Sequence, residues 1–198
     1  MIPDQPTKQN TAALPKLAVA ITGASGSIFA ATLLKRLEQM GDQIGEVGLV
    51  WSSNAPTVWE HELENRDFEK LPFRSWARDD FMAPFASGSS DYQALIICPC
   101  SMGTVGRIAA GISNDLITRA ADVMLKERRR LICVVRETPY NLIHLRNMTA
   151  VTEAGGIICP ATPSFYSRPG SIAEAVATVT DRALQLAGIR LDSYRWGQ

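Results

Sequence analysis

The chain has 198 residues, of which 46% are hydrophobic and 20% charged, enough for one globular domain with a buried core. Twenty Lys and Arg balance twenty Asp and Glu, so bulk charge gives no support for a nucleic acid or an anionic membrane as partner. No apolar run approaches the ~20 residues of a membrane span. Residues 1–16 lack the apolar segment of a signal peptide, so we expect a disordered tail and a cytoplasmic protein.

Short apolar runs alternate with helical patterns along the rest of the chain. Five buried strands are predicted at 17–23, 44–53, 94–98, 131–135 and 156–160. Helices are predicted after them, at 23–41, 56–66, 101–110, 116–130, 138–155 and 171–189, whereas residues 67–90 are expected to be irregular. This order predicts a doubly wound parallel α/β sheet in a single domain, residues 17–190, followed by a C-terminal tail, residues 191–198.

Two small-residue motifs follow predicted strands, where parallel sheets bind their ligands. TGASGS (22–27) follows the first strand, and its glycines let the backbone approach a ligand at a helix start. CPCSMGT (98–104) follows the third strand, where Pro99 is expected to stop the sheet before a second helix start. These motifs predict a cradle for an anion and a heterocycle. Tight corners and a simple N-cap at Ser101 remain the alternatives.

The cysteines and histidines predict no metal site. Each cysteine lies in or ends an apolar run without the spacing of a zinc site, and we interpret all four as small buried core residues: Cys98, Cys100, Cys133 and Cys159. His61 and His144 lie on predicted helices and belong to no Ser-His-Asp arrangement.

Charged side chains mark the second half of the chain. Arg119 and Lys126 are seven residues apart and therefore share a helix face. Arg136 and Glu137 directly follow the fourth strand, where a charge pair without a role is costly. A solvated helix face is sufficient to explain residues 128–130. We expect these cations at one edge of the sheet, where they fit a phosphorylated cofactor and a phosphorylated substrate.

The loop PSFYSRPGS (163–171) follows the fifth predicted strand and offers Tyr166 and Arg168. Loops that a rigid sheet holds in place often carry binding residues. Arg182 lies on the following helix, where a plain surface arginine is the alternative reading.

Four motifs, in this order, resemble the UbiX-like flavin prenyltransferases of the flavin-dependent cysteine decarboxylase superfamily. They are TGASGS, ASGSS with CPCSMGT, NDLITRAADVMLKERRRLICVVRETPYNLIHLRNM, and PSFYSRPGS, and the resemblance spans residues 17–188. It implies a Rossmann/flavodoxin-like three-layer αβα fold. It also implies transfer of a dimethylallyl group from dimethylallyl phosphate to N5 and C6 of reduced FMN, without a metal. It further implies that a UbiD-type decarboxylase uses the prenylated FMN and that the enzyme is a homo-oligomer, a dodecamer with sites at subunit interfaces.

The same resemblance assigns roles to individual residues. FMN is held by Gly23, Ala24, Ser25, Ser52, Ser101, Met102, Gly103, Thr104 and Arg136. The substrate phosphate is surrounded by Arg119, Lys126, Glu137, Tyr166 and Arg182. Catalysis is assigned to Ser25, Glu62, Lys126 and Glu137. Fixed cations stabilise a leaving phosphate, and a carboxylate passes protons through a hydroxyl, so these assignments are chemically consistent.

Two departures from the family pattern affect substrate detail. Ser53 stands where a lysine is usual, and Phe81 stands where some members have tryptophan. A pyrophosphate donor stays open, although a compact cationic site favours the monophosphate. Two other functions also stay open. A cysteine-type decarboxylase would need a histidine base that residues 27–29 do not supply, and a non-catalytic flavin-binding subunit would not need Glu62 or Lys126.

Overall fold

The computed structural model describes residues 13–192 and residue 197. Its strands are β1 (Lys16–Ile21), β2 (Glu46–Trp51), β3 (Arg74–Trp76), β4 (Tyr92–Cys100), β5 (Arg130–Val135) and β6 (Ile157–Pro160). Its α-helices are α1 (Ser27–Gln39), α2 (Ala55–Leu63), α3 (Met102–Ala109), α4 (Leu116–Lys126), α5 (Leu142–Glu153) and α6 (Ile172–Leu186). Two 3₁₀ turns, Asp67–Lys70 and Pro84–Ala86, lie on either side of β3.

The strands form one parallel sheet in the order β3-β2-β1-β4-β5-β6. The chain winds outward from β1 to β3, returns to pair β4 with β1, and then winds the other way. This is the doubly wound order, whose ligands bind where the winding reverses, beyond the carboxyl ends of β1 and β4. The predicted Rossmann/flavodoxin-like three-layer fold is confirmed.

Both faces of the sheet are covered, which is why its central strands read as continuous apolar runs. Leu17, Val19 and Ile21 of β1 pack on the side of α1 and α6, and Ala18 and Ala20 pack on the side of α3 and α4. All four cysteines are buried and free, as predicted. Burial raises the pKa of the Cys98 thiol, so the group stays protonated and packs as a small apolar residue.

The structure corrects two predictions in the middle of the chain. β3 forms within the region expected to be irregular, because its three residues pair with β2 without any apolar alternation to reveal them. β4 continues through Pro99 to Cys100 instead of stopping at the proline. The register between β4 and β5 shifts between Ile97 and Cys100, so the missing N–H of Pro99 falls where no ladder bond is required.

Element ends differ from prediction by a few residues. Lys16 belongs to β1 and pairs with Glu46 and Asp91, so it is not part of the N-terminal tail. Leu191, which we expected in the C-terminal tail, packs in the core. The rest of the predicted N-terminal tail up to residue 12, and residues 193–196 and 198, lie outside the described residues. Among the helices that the structure describes, none is long and apolar enough to cross a membrane.

Candidate functional site

The turn between β1 and α1 binds a carboxylate that α2 contributes. The Glu62 carboxylate accepts hydrogen bonds from the Gly26 N–H, at 3.0 and 2.9 Å to its two oxygens, and from the Ser27 N–H at 2.7 Å. Gly26 has φ of 116°, a left-handed conformation that favours glycine, and this turn directs both N–H groups toward Glu62. A side chain distant in sequence therefore caps the N-terminus of α1.

These contacts keep Glu62 ionised. Burial raises the pKa of the Glu62 carboxyl, but hydrogen bonds from the Ser25 hydroxyl and from the Ser27 and Gly26 N–H groups outweigh it. The net pKa lies below the ordinary value. The structure thus brings Ser25 and Glu62 together. It also corrects the interpretation of this helix start as an anion site for a ligand, because a protein carboxylate already occupies the N–H groups.

Arg136 lies beside the same turn. The Arg136 Cγ is 3.7 Å from the position that a Cβ on Gly26 would take. The backbone N–H of Arg136 donates a hydrogen bond to the Cys100 carbonyl at 3.2 Å. The next residue, Glu137, accepts a hydrogen bond from the Thr138 N–H at 3.0 Å. Both residues follow β5, so a cation and a carboxylate join Ser25 and Glu62 at the carboxyl edge of the sheet.

A polar cavity of about 530 Å³ opens where the winding of the sheet reverses. Its wall is fixed by hydrogen bonds around Ser101, whose N–H donates to the Thr22 hydroxyl at 3.0 Å and whose hydroxyl caps α3 through the Thr104 N–H at 3.3 Å. The lining residues are Thr22, Gly23, Ser52, Ser53, Asn54, Arg78, Ser101, Gly103, Thr104, Arg107 and Asp115.

Five of the predicted FMN-binding residues line this cavity: Gly23, Ser52, Ser101, Gly103 and Thr104. The other four, Ala24, Ser25, Met102 and Arg136, do not line it, and Met102, the first residue of α3, is buried in the core. Six lining residues were not predicted to bind FMN: Thr22, Ser53, Asn54, Arg78, Arg107 and Asp115. One sequence signal was available for Arg107, since it follows Gly103 by four residues and so lies one helical turn along the same face of α3.

Arg119 and Lys126 line neither the polar cavity nor the turn between β1 and α1. Because α4 must return the chain to the start of β5, its last turn lies at the amino edge of the sheet, ~16 Å from its first residue. Arg119 lies in the first turn of α4, and its side chain contacts the loop that leads into β4. The Arg119 Nε donates to the Ala86 carbonyl at 3.0 Å, and its Nη1 pairs with Asp122 at 2.9 Å. Lys126 pairs with Glu127 at the amino edge. The expectation of all the cations at one edge is therefore wrong for a single chain.

Tyr166 and Arg182 lie in a third region, formed by the segment after β6 and by α6. Tyr166 is 68% exposed on the segment after β6. Arg182 lines a second cavity, of about 450 Å³, between that segment and α6. Its guanidinium donates to the Gln185 side chain at 3.5 Å. Across residues 13–192 and 197, no group of three or more His, Cys, Asp or Glu side chains is placed to hold a metal ion.

Comparisons with known proteins agree with this fold. The Flavoprotein family model matches residues 5–182. The flavin prenyltransferase UbiX of Methanocaldococcus jannaschii is 40% identical over 185 residues, covering 92% of this chain and 98% of the relative. The crystal structure of AnUbiX in complex with FMN and dimethylallyl pyrophosphate has a TM-score of 0.84 and 37% identity, covering 92% of this chain and all of that one.

Two further structures bear on assembly and on the competing function. A dodecameric FMN-dependent UbiX-like decarboxylase from Escherichia coli O157:H7 has a TM-score of 0.85 and 38% identity, covering 92% of this chain and 99% of that chain. The FMN-dependent cysteine decarboxylase TvaF is 16% identical with a TM-score of 0.61, covering 88% of this chain and 99% of that chain. At that identity the likeness extends to the fold alone.

The cap on α1 predicts a specific pH dependence for the Glu62→Gln variant. The folded-state pKa of Glu62 is lowered, so its stabilisation is present above the unfolded value of ~4.3 and is lost as pH falls through the folded value. At pH 7 we expect the variant to be less stable by about 1 kcal/mol, the usual loss for a weakened helix cap. Urea unfolding at pH 7 and at acid pH measures both effects.

On acidification the wild type should lose more free energy of unfolding than Glu62→Gln does. Glu60→Gln, which removes an exposed carboxylate from the same helix, serves as the control and should follow the wild type. Equal acid sensitivity of Glu62→Gln and the wild type would contradict the assignment of Glu62 as an ionised cap.

Proposed function

The chain belongs to the Flavoprotein family and, within it, to the UbiX-like flavin prenyltransferases, and we propose that it joins the dimethylallyl group of dimethylallyl phosphate to N5 and C6 of reduced FMN. The resemblance inferred from the four motifs is thereby confirmed. The observation that carries the proposal is the hydroxyl-lined cavity where the sheet winding reverses, with the Ser25–Glu62 pair and Arg136 beside the same strand ends.

The residues of this cavity fit the phosphate and the ribityl chain of FMN. Ser52, Ser101 and Thr104 supply hydroxyls, and the Gly103 N–H lies in the first turn of α3, where no carbonyl of the helix can accept its hydrogen bond. A Cβ added at Gly103 would meet no atom within 4 Å, so the backbone there is open to a ligand. Polar donors around an open backbone N–H are what an anionic ester requires.

When bound, reduced FMN supplies the nucleophilic ring atoms that accept the prenyl group. The ionised Glu62 accepts the hydrogen bond of the Ser25 hydroxyl and so leaves the Ser25 oxygen free to accept a proton. Glu62 can take the Ser25 proton in turn, as in general acid/base catalysis. Its lowered pKa keeps the carboxylate ionised, so it is available to accept that proton.

Arg119 and Lys126 are proposed to stabilise the phosphate that leaves when the allylic C–O bond breaks. A guanidinium has five N–H donors, and Arg119 uses Nε and Nη1 for bonds within the described part of the chain, which leaves Nη2 for a ligand. Lys126 has three donors and pairs with Glu127 through one of them. Charge-assisted bonds from such donors are the strong ones for a phosphate dianion. Because AnUbiX is described with the pyrophosphate, both donors belong in the assay.

A second copy of the chain is proposed to bring these cations to the flavin. Within one chain Lys126 lies at the amino edge of the sheet, whereas Ser25, Glu62 and Arg136 lie at the carboxyl edge. The dodecamer from E. coli supports self-assembly. So does α5, in which Val151 is the one buried residue while Leu142, Ile143 and Leu145 are exposed. Exposed apolar faces of this kind are typical of subunit interfaces. We propose a dodecamer for this chain also.

The remaining parts of the proposal concern the product and its location. Delivery of prenylated FMN to a UbiD-type decarboxylase rests on the motif resemblance alone. A cytoplasmic location is supported by the four free buried cysteines, because thiols persist in a reducing compartment. The cysteine-decarboxylase alternative has no support beyond the fold. The alternative of a non-catalytic flavin-binding subunit is distinguished from the proposal by Lys126→Ala, because only an enzyme would lose prenyl transfer with this lysine.

The direct test is the mass of the flavin after an anaerobic reaction. The purified protein is incubated with reduced FMN and dimethylallyl phosphate, or the pyrophosphate, and the flavin is released. We expect a gain of one five-carbon isoprenyl unit. Lys126→Ala should abolish it because the leaving phosphate loses a cation, whereas Lys35→Ala, at an exposed lysine of α1, should not.

Unmodified FMN from a folded, flavin-bound protein with both donors would refute prenyl transfer. Transfer that survives in Lys126→Ala would leave the reaction in place and refute the role of this lysine.

Gly88 is predicted to set the position of Lys126. A Cβ on Gly88 would lie 2.7 Å from the Lys126 Nζ and would also collide with the Glu127 carboxylate. Both are ends of flexible side chains, so Gly88→Ala should displace them without unfolding the loop. We expect prenyl transfer to fall by about tenfold or more, since small misplacements of catalytic groups are costly. The measurement is the rate of prenyl-FMN formation by a variant with unchanged FMN affinity.

Gly41→Ala is the matched control, because its added Cβ would make only an ordinary contact, at 3.7 Å from the Glu38 carbonyl. A Gly88→Ala enzyme as fast as the wild type would contradict the proposed dependence on Lys126 position.

A further inference from the structure

Two arginines that no motif assigns line the polar cavity, and we propose that Arg78 and Arg107 bind the phosphate of FMN and make the protein select FMN over riboflavin. The inference rests on the proposed function only in naming FMN as the ligand. It adds charge to a cavity wall in which the residues that the family resemblance assigns, Gly23, Ser52, Ser101, Gly103 and Thr104, carry none.

Arg107 is held rigidly by its neighbours. Its Nη1 pairs with the Asp115 carboxylate and reaches the Asn114 side-chain oxygen at 3.4 Å, and its Nη2 donates to the Thr104 hydroxyl at 3.4 Å. These bonds occupy three of the five guanidinium N–H groups and leave the Nε N–H and one Nη2 N–H without a partner among the described residues. Arg107 therefore presents oriented donors next to Thr104, in the cavity wall.

Asp115 holds the Arg107 guanidinium in place through their ion pair. It is 4% exposed and caps α4, accepting hydrogen bonds from the Thr118 N–H at 2.9 Å and the Thr118 hydroxyl at 2.8 Å. Burial raises the pKa of the Asp115 carboxyl, but the Thr118 N–H and the Arg107 guanidinium outweigh it, and the pKa lies below the ordinary value. The carboxylate is thus ionised and balances Arg107 in charge.

Arg78 supplies the charge that is not balanced. Its carbonyl accepts the Leu116 N–H at 2.7 Å, which ties the segment after β3 to the start of α4, beside Asp115. Its guanidinium has no hydrogen bond or ion pair with any residue in the described ranges. The lining therefore holds two arginines against one aspartate, with no other ionisable side chain. A phosphate dianion is the complement of such a wall.

The shape of the lining points to the phosphate end of the flavin. No aromatic or large apolar side chain contributes to it, and all the uncharged members are Gly, Ser, Thr or Asn. A flat ring system would find no stacking partner there, whereas a phosphate would meet hydroxyls, the Gly103 N–H and two guanidinium groups. Riboflavin differs from FMN only by lacking that phosphate, so the two arginines should affect FMN binding alone.

The test measures dissociation constants for FMN and for riboflavin by quenching of flavin fluorescence, with no prenyl donor present. Arg78→Gln removes the unbalanced charge. Arg107→Gln combined with Asp115→Asn removes a matched pair and keeps a good N-cap residue on α4, so no lone charge is buried. Each should raise the FMN dissociation constant by about tenfold, the usual effect of losing a charge-assisted bond, and leave riboflavin unchanged. Arg190→Gln, at an exposed arginine outside the cavity, should change neither.

Raised salt should weaken FMN binding by the wild type more than by Arg78→Gln, because screening acts on the charge that the variant lacks. Equal losses of affinity for FMN and for riboflavin would overturn the inference. Unchanged FMN affinity in both variants would also overturn it, and this result is expected if the cavity binds the phosphate of the prenyl donor instead. These outcomes leave prenyl transfer untouched. A wild type that binds neither flavin would overturn both the inference and the proposed function.

Discussion

All six strands of the described sheet run in the same direction, and this constraint decides where every functional side chain lies. Residues that follow a strand reach the carboxyl edge, and residues at the end of a helix reach the amino edge. Ser25, Arg136 and Glu137 follow β1 and β5 and lie at the first edge, whereas Lys126 ends α4 and lies at the second. A site that needs both sets has to be assembled from more than one copy of the chain.

The carboxyl edge is organised by charges that satisfy one another before any ligand arrives. Glu62 occupies the N–H groups at the start of α1, and Asp115 caps α4 while holding Arg107. Both carboxylates have lowered pKa values in spite of burial, because each accepts backbone N–H groups. We propose that a flavin phosphate binds to what remains: the start of α3 with its hydroxyls, Arg78, and the N–H groups of Arg107 that Asp115 does not occupy. The site is thus positioned by ionised groups that bind protein rather than ligand.

Much of the fold could be predicted because central strands covered on both faces are apolar throughout. β3 could not, since RSW at the sheet edge carries no burial pattern. The Ser25–Glu62 contact came from the family resemblance, as no spacing rule joins residues so far apart. Arg107 and Arg78 were missed because a mid-helix arginine and a loop arginine look like surface residues in sequence. The separation of Lys126 from Glu62 could have been predicted from the sequence, because a helix that leads into the next parallel strand must end at the amino edge of the sheet.

Complementation between two variants, each expected to lack activity because it lacks a proposed catalytic group, tests the assembly of the site most directly. Glu62→Gln and Lys126→Ala chains with different tags are co-expressed, and mixed assemblies are purified through both tags. If one copy supplies Glu62 and another supplies Lys126, random mixing gives roughly a quarter of the sites both groups, and prenyl-FMN formation should return to about that fraction of the wild-type rate. Activity no higher than that of the separate variants would contradict the account, because it would mean that both groups act within one chain.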